Sequence, residues 1–442
     1  MEALMNFMER HLVPIASKVG SQRHLVAIRD GFIAMIPVTM VGAFGSLIKN
    51  LPLKPYQDML ANTTVGQQIS ALGGDLWWGS LAMMSLFLAV SVAYSLAKSY
   101  EANGLQAGLL ALCGFLVLSP QTADIVTEAG EAVSGWGFIP WGYVSTNALF
   151  TAMVVALVTT EIYVRLSKVT WLTIKMPDGV PPAVSRSFAK LLPGVIALFI
   201  VGIIGIIVKL LSNGLFINDL LSTYLSKPLT GMADSLGGAV FTVLFIHVLW
   251  IFGLHGANIA LPAVEPILME LGGKNAELAS AGATEGYHVF AGAFLDAFVY
   301  LGGSGMILGL IIALIIALII AGRRRKEMIA LGGPPACFNI SEPMIFGMPI
   351  VLNPIYMIPF VLAPVLCTIT SYLAISSGIV APVLMAKIPW ITPPIFSGIM
   401  ATGHWTGGAL AAVNLIISVV IYLPFVVADE RMAKKRLAKQ QG

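Results

Sequence analysis

Long apolar runs constrain this chain more than any other feature, because they recur from residue 28 to residue 428. A helix needs about 20 mainly apolar residues to cross a bilayer. The runs of about this length are residues 28–48, 76–97, 104–119, 143–164, 190–212, 238–256, 351–375 and 407–428. The run 286–321 is longer, and Gly302-Gly303-Ser304-Gly305 divides it into a crossing that ends near residue 302 and one over 305–321. The sequence therefore predicts an all-α polytopic membrane protein with about ten transmembrane helices.

Composition excludes a soluble globular domain. Hydrophobic residues make up 57% of the chain and charged residues only 11%, whereas a soluble domain has about 25% charged residues. The cysteines, Cys113, Cys337 and Cys367, show neither metal-ligand nor Cys-x-x-Cys spacing. The sequence contains no phosphate-binding loop, zinc-protease motif or serine-hydrolase motif. We expect membrane lipid as a partner, and no metal, cofactor or nucleic acid.

The placement of basic residues predicts the topology. With a cytoplasmic N-terminus, 20 of the 25 Lys and Arg residues fall in cytoplasmic segments, as the positive-inside rule requires. The loop 120–142 contains three acidic residues and no Lys or Arg, as an outer loop should. Residues 1–25 are predicted to form an amphipathic interfacial segment and residues 429–442 a basic tail. Both termini are therefore predicted to be cytoplasmic in a multi-pass protein.

Two apolar segments fit no crossing, because counting either one as a span would break this charge distribution. They are residues 333–350 and 388–403, and both contain several prolines. Proline interrupts helices, and irregular backbone at membrane depth is tolerated only inside the protein or along a cavity. Both segments are therefore predicted to be re-entrant hairpins, which in transporters point to the binding site. A polar break at 175–190 suggests two halves, which we place at 26–213 and 214–428.

The segment 337–350 contains the most informative charge. Glu342 lies in an almost wholly apolar stretch and precedes Pro343. An ionisable side chain in a membrane segment is costly and is therefore a functional candidate. The alternative is a carboxylate that only specifies the fold. Asn339 and Ser341 are candidates to contact a ligand or to cap the hairpin.

A second cluster lies on the apolar run that ends near residue 256. His255 lies between Gly253 and Gly256, which leave space beside it, and Trp250 lies five residues upstream. Asn258 belongs to the same cluster. His255 is either a ligand-binding residue or a hydrogen-bonding residue between helices. His247, on the same run, fits a structural role better.

Trp390 and several acidic residues elsewhere in the chain complete the set of candidates. The ring of Trp390, beside Pro389, is either an interfacial anchor or a platform for a sugar face. Asp296 fits a pairing role within the helix bundle better than a site role. A group of acidic residues in a polar stretch is interpreted as solvated loop charges: Glu265, Glu270, Glu277 and Glu285.

At these clusters the chain resembles the membrane sugar permease, enzyme IIC, of the bacterial phosphoenolpyruvate-dependent phosphotransferase system. It is most similar to the lactose, cellobiose and N,N′-diacetylchitobiose branch, over essentially the whole chain. The segments that carry the resemblance are Gln22–Phe32, Pro181–Phe188, Trp250–Gly256, Leu301–Gly305, Glu342–Ile350 and Pro389-Trp390.

The resemblance implies a homodimer with ten spans and two re-entrant hairpins per subunit in the bacterial inner membrane. It implies that the N-terminal half forms the dimer contact and that the C-terminal half binds the sugar. His255 and Glu342 would lie near the hydroxyl that becomes phosphorylated, and Trp250 and Trp390 would line the sugar site. Many relatives have Asn where this chain has Ser341, so the resemblance leaves one sugar contact open.

The resemblance also implies the phosphate donor and the substrate class. The donor would be a phosphocysteine on a soluble B component, itself supplied by an A component. None of the three cysteines lies in a soluble domain, so we expect B to be a separate chain. The substrate would be a β-linked disaccharide of the cellobiose, chitobiose or lactose type. The chain would be a non-autonomous part of a sugar phosphotransferase. The alternative is an ion-coupled secondary sugar transporter in which Glu342 and Asp296 carry protons.

Overall fold

A computed structural model describes residues 18, 21–50, 54–126, 132–174, 188–321, 326–348, 350, 353 and 355–441. Most of the predicted interfacial segment 1–25 and most of the polar break 175–190 lie outside these residues.

The described chain is mainly helical, which confirms the predicted fold class. Its α-helices are α1 Arg23–Ala34, α2 Ile36–Asn50, α3 Lys54–Asn62, α4 Thr64–Trp78, α5 Met84–Ser99, α6 Gly104–Val117, α7 Leu149–Ser167, α8 Leu191–Leu211, α9 Ile217–Leu221, α10 Lys227–Ala233, α11 Leu236–Ile251, α12 Gly256–Ser280, α13 Phe294–Phe298, α14 Ile307–Ala321, α15 Lys326–Ala336, α16 Glu342–Gly347, α17 Met357–Ser376, α18 Phe396–Thr402 and α19 Trp405–Gln441. Short 3₁₀ segments precede α5, α7 and α14, and a π-helical turn joins α9 to α10.

One small sheet departs from the all-α prediction. Strands β1 Thr122–Val126 and β2 Ala132–Trp136 pair antiparallel, with Thr122 opposite Trp136. Both strands lie in the acidic loop 120–142. Five-residue strands in a loop give too short a pattern to recognise against apolar helices.

Five helical segments in the described chain are long and apolar enough to cross a membrane: Thr64–Ser99, Thr146–Ser167, Leu191–Leu211, Met357–Ser376 and Trp405–Glu430. The bent pair Ile217–Ala233 and Leu236–Ile251 would make a sixth. Two shorter apolar helices, Gly104–Val117 and Ile307–Ala317, fall within further predicted runs. The ten-span count stays a prediction.

The prediction of a helical crossing that ends near residue 302 is wrong. Between residues 281 and 303 the chain forms turns and a single five-residue helix, α13. Two glycines inside the predicted crossing, Gly286 and Gly292, adopt positive φ. Such φ values lie outside the right-handed helical region, so the apolar run cannot continue as one helix.

The described chain divides into two compact units. The first consists of Ser21–Gly42 and Trp77–Leu229. Its core forms where α5 packs against α1, α6 and α7, with Leu88, Leu96 and Phe115 buried. Within this unit Glu161 accepts hydrogen bonds from His24 at 2.9 Å and Tyr100 at 2.5 Å.

The second unit includes Ala43–Leu76 and Thr230–Gly442 and contains every predicted site residue. In its core, α19 packs against α14, α17 and α18, while α11 packs against α17 and α12. The rings of Phe290, Phe294 and Phe298 pack edge to face in sequence. This apolar core supports the short helices and turns that carry the site.

The two proline-rich segments have different structures. Within 333–350, helix α15 ends at Ala336, a turn follows, and α16 begins at Glu342 and packs against α15. Within 388–403, turns and extended chain lead into α18. The re-entrant placement of both segments in a membrane stays a prediction.

Candidate functional site

His255 is fixed at the N-terminus of α12. It is the N-cap residue, and the backbone N–H of Asn258 donates to its Nδ1 at 3.2 Å. Gly256 permits this geometry, because a Cβ at this position would lie 1.9 Å from the carbonyl oxygen of Ile246. Only glycine lets the start of α12 approach α11 so closely. Asn258 thus contributes to the site through its backbone.

Trp250 supports His255 from α11. Their ring centroids are 4.4 Å apart, and the centroid of Phe346 lies 6.4 Å from that of Trp250. Trp250 is only 2% exposed, and its indole Nε1 has no hydrogen-bond partner among the described residues. A buried N–H without a partner is unusual for tryptophan. The ring therefore packs beneath His255 and leaves one donor unused.

Glu342 faces His255 across a gap. It begins α16, with Pro343 in the first turn, where a missing N–H costs nothing. Its Oε1 lies 3.7 Å from His255 Nε2, which is longer than a hydrogen bond. The side chain of Glu342 is 44% exposed and that of His255 is 40% exposed. The pair is open, so a third polar group can contact both side chains.

Asn339 connects three segments. Its Nδ2 donates to the carbonyl oxygens of Trp390 at 2.7 Å and Thr392 at 2.9 Å, and its Oδ1 accepts from the N–H of Gly302 at 2.9 Å. Both amide hydrogens are therefore used within the protein. Its φ of 61° is one that asparagine tolerates better than most residues. These contacts correspond to the capping alternative for Asn339.

Ser341 is buried between Asn339 and Glu342. It is the N-cap residue of α16, with no capping bond from its side chain among the described residues. A Cβ placed on Gly303 would lie 2.7 Å from the Cβ of Ser341. The side chain of Ser341 therefore lies directly against Gly303, where only a residue without a Cβ fits.

Trp390 presents its ring outward. Its side chain is exposed, while its carbonyl oxygen is held by Asn339. The turn around it is closed by a hydrogen bond from the N–H of Thr392 to the carbonyl oxygen of Pro389 at 2.9 Å. A rigid backbone with an exposed ring suits both alternatives, a platform for a sugar and an interfacial anchor.

Sequence reasoning missed an ionic triad in this unit. Lys387 Nζ lies 2.7 Å from Glu265 Oε1 and 2.9 Å from Asp296 Oδ2. The three side chains are 19%, 11% and 9% exposed, respectively. The pairing role expected for Asp296 agrees with this contact. A lysine in the apolar segment before Pro389 was the available signal, but spacing alone cannot name its partners.

The interpretation of Glu265 and Glu270 as solvated loop charges is wrong. Both lie in α12 and are buried, and Glu270 Oε1 is 2.6 Å from Lys274 Nζ. The helix continues through Pro262 and Pro266. Because proline normally interrupts a helix, the sequence did not predict one here. Glu277 lies in the same helix, whereas Glu285 is exposed in the loop that follows.

Known proteins resemble this chain over nearly its full length. Residues 29–364 match the family described as Phosphotransferase system, EIIC. The lichenan permease IIC component of Bacillus subtilis (strain 168) is 36% identical over 452 residues, covering 100% of this chain and 96% of that protein. The cellobiose-specific EIIC component of Geobacillus stearothermophilus is 36% identical over 436 residues, covering 96% and 94%.

A solved structure agrees with the fold. The crystal structure of the transporter ChbC, the IIC component of the N,N′-diacetylchitobiose-specific phosphotransferase system, superposes with a TM-score of 0.90. It is 36% identical and covers 99% of each chain. Family match, full-length relatives and shared fold all agree with the resemblance in the sequence motifs. The chain therefore belongs to the EIIC family of the phosphotransferase system, the membrane permeases of its sugar transport.

Proposed function

We propose that this chain imports a β-linked disaccharide and presents it for phosphorylation by the phosphocysteine of a separate B component, which an A component recharges. The observation that carries the proposal is the open pair of His255 and Glu342, whose polar atoms face each other at 3.7 Å with no direct hydrogen bond. A sugar hydroxyl placed between them can donate to the carboxylate and accept from the imidazole.

The relatives support the substrate class. Their names specify lichenan, oligo-β-mannoside and cellobiose at 34–36% identity, and the ChbC structure adds N,N′-diacetylchitobiose. Galactose- and lactose-specific relatives are 30% and 29% identical. The higher identities favour β-linked glucosides and related disaccharides over galactosides.

The chemistry follows from the pair. Glu342 accepts the proton of the sugar hydroxyl as general base. The hydroxyl oxygen attacks the phosphorus of the phosphocysteine, an O–P bond forms, the S–P bond breaks, and the cysteine leaves as thiolate. His255 Nε2 orients the hydroxyl beside the carboxylate. Once Glu342 has passed this proton to water, its carboxylate and the new phosphate group repel each other, and this repulsion favours release of the product.

Other candidates support this pair. Trp390 offers an exposed ring to a C–H face of the sugar, and Trp250 holds His255 from below. Asn258 holds His255 through its backbone N–H. Asn339 and Ser341 belong to the turn that leads into Glu342, and they fix the position from which this side chain reaches the site.

The arrangement in the membrane belongs to the same proposal. We place both termini in the cytoplasm and a homodimer contact in the half 26–213. Large apolar side chains on α8, including Phe199, Leu210 and Leu211, are exposed. Such a surface requires lipid or a second subunit to cover it.

The test uses the full chain in proteoliposomes with purified A and B components and phosphoenolpyruvate. We expect Glu342→Gln to lower sugar phosphorylation by about 10²–10⁴-fold, the usual contribution of acid–base catalysis. His255→Ala should also lower it, because the hydroxyl loses the group that orients it. Glu285→Gln, an exposed loop carboxylate, is the control. Full phosphorylation by both site variants would contradict the role assignments.

The same vesicles separate the rival function. Sugar uptake that is abolished by an uncoupler and does not depend on the B component would indicate an ion-coupled transporter instead. The position of Asp296 disfavours that rival, because a carboxylate held 2.9 Å from Lys387 is poorly suited to carry protons in each cycle. A panel of cellobiose, chitobiose and lactose in a binding assay would identify the substrate.

A further inference from the structure

The loop 387–392 is anchored at its start by charge. Lys387 Nζ lies between Glu265 of α12 and Asp296 of α13, at 2.7 and 2.9 Å. All three side chains are mostly buried. Moving the lysine away would leave two carboxylates without a counter-charge away from water, which is strongly unfavourable.

Close backbone packing fixes the residues just before Lys387. The N–H of Ala293 donates to the carbonyl oxygen of Met385 at 3.0 Å. A Cβ on Gly272 of α12 would lie 2.8 Å from the Cα of Ala386. The chain therefore enters the loop in direct backbone contact with α12.

The far end of the loop is anchored by an amide. Asn339 donates to the carbonyl oxygens of Trp390 and Thr392. Two hydrogen bonds from one planar amide fix both the distance and the orientation of the loop backbone. The side chain of Trp390 itself stays exposed.

Two of the anchoring residues lie on elements that also carry one member of the open pair. Helix α12 carries Glu265 and is capped by His255, and the hairpin turn that carries Asn339 leads directly into Glu342. The loop is thus tied independently to the two elements whose meeting point is the His255–Glu342 pair.

We propose that Lys387, Glu265 and Asp296 are positioning residues that, together with Asn339, hold the Trp390 ring in a fixed place relative to His255 and Glu342. This inference rests on the proposed function, because it assigns Trp390 to the sugar site. The ionic triad acts on sugar affinity through the ring it positions and contacts no reacting atom.

The first arm of the test needs no sugar. Lys387→Met removes the ammonium from buried carboxylates, and Lys274→Met is a matched control that removes the ammonium from buried Glu270 on the same helix. Hydrogen–deuterium exchange of the full chain in detergent is followed over residues 386–392. Exchange should increase there in Lys387→Met and not in Lys274→Met. Equal exchange in both variants would overturn the anchoring.

The second arm is a double-mutant cycle on sugar affinity with cellobiose as the probe. Trp390→Ala should weaken binding roughly tenfold, the loss expected for one aromatic contact. Asp296→Asn leaves Glu265 as a partner for Lys387, so it should fold more readily than Lys387→Met. It should weaken sugar binding less than Trp390→Ala does. If the triad acts through Trp390, the double variant binds as Trp390→Ala does. Multiplied losses would show a merely structural triad and overturn the proposal.

The two arms also separate this inference from the proposed function. If cellobiose, chitobiose and lactose all fail to bind the unaltered protein, the proposed substrate class is wrong, while the exchange arm still decides whether the triad anchors the loop. Rescue of normal exchange by Lys387→Arg, which retains the charge, would support the ionic origin of the anchor. Failure of this rescue would contradict it.

Discussion

Two groups of polar side chains in the same compact unit, the His255–Glu342 pair and the Lys387 triad, differ in their spacing and in their exposure. Between His255 and Glu342 the gap is 3.7 Å, and both side chains are about half exposed. Between Lys387 and its two carboxylates the gaps are 2.7 and 2.9 Å, and the groups are nearly covered. An open pair gains little from its own attraction, since water screens it. A closed group depends on its partners because water cannot replace them.

The difference teaches which charges serve a ligand and which serve the chain. The open pair leaves hydrogen-bonding capacity unused, so Glu342 can be replaced with little harm to the fold but with large harm to the chemistry. In the closed triad two carboxylates hold one ammonium group within the protein, so loss of that ammonium group harms the fold first. Three substitutions, each with a comparison variant, test this contrast.

The largest effect on stability is expected from Lys387→Met. Leaving two buried carboxylates without their cation should lower the free energy of unfolding by about 3–5 kcal/mol. Glu342→Gln should change it by no more than about 0.5 kcal/mol, as for other exposed positions. Thermal unfolding in detergent measures both variants. Equal losses of stability would erase the distinction between the two sites.

An intermediate effect is expected from Gly303→Ala, which tests the support of the open pair. Gly303 has φ of 89°, and an added Cβ would lie 2.5 Å from the carbonyl oxygen of Asn339. Strain at such a φ costs about 1–3 kcal/mol, and the collision adds to it.

Gly378→Ala is the matched control for Gly303→Ala. Its φ of 75° is similar, but nothing lies within 4 Å of the added atom. Thermal unfolding should therefore show a larger loss for Gly303→Ala, accompanied by weaker sugar binding. If the two variants lose equally, backbone strain alone accounts for the effect, and the contact at the hairpin turn is unimportant.

The smallest effect is expected from Trp250→Phe. The phenyl ring keeps packing beneath His255, and the change removes an indole N–H that is buried without a partner among the described residues. Removing such a donor gains about 1–3 kcal/mol, which offsets the lost ring volume. Stability should change by less than about 1 kcal/mol. Trp250→Ala, which also removes the support of His255, is the comparison variant and should be less stable than Trp250→Phe.

Much of the fold could be predicted from the sequence, because helices that cross a membrane are recognised by their length and hydropathy. The runs 143–164, 190–212 and 407–428 correspond closely to helices in the structure. The run 286–321 misled the prediction because hydropathy does not register backbone conformation. The run is divided at Gly302 and Gly303, where the sequence predicts a division, but the part before them forms turns and one five-residue helix, α13.

The site was predictable in part. A carboxylate before proline in an apolar segment identified Glu342, and two flanking glycines identified His255. The contact between these two residues, which lie 87 positions apart in the sequence, was suggested only by the family resemblance. The triad could not be predicted, because Glu265, Asp296 and Lys387 lie on three different elements and no spacing in the sequence relates them. Asn339 remained ambiguous because a polar side chain at a turn can bind either backbone or ligand.

The cap of α12 has a consequence for proton placement. Because the N–H of Asn258 donates to Nδ1 of His255, that nitrogen must present its lone pair, and a neutral ring carries its hydrogen on Nε2. The ring therefore meets Glu342 as a donor, in the tautomer suited to orient a hydroxyl. Adding a second proton would break the helix cap. His255→Asn would preserve the cap while removing Nε2, and would thus separate the two tasks that one imidazole performs.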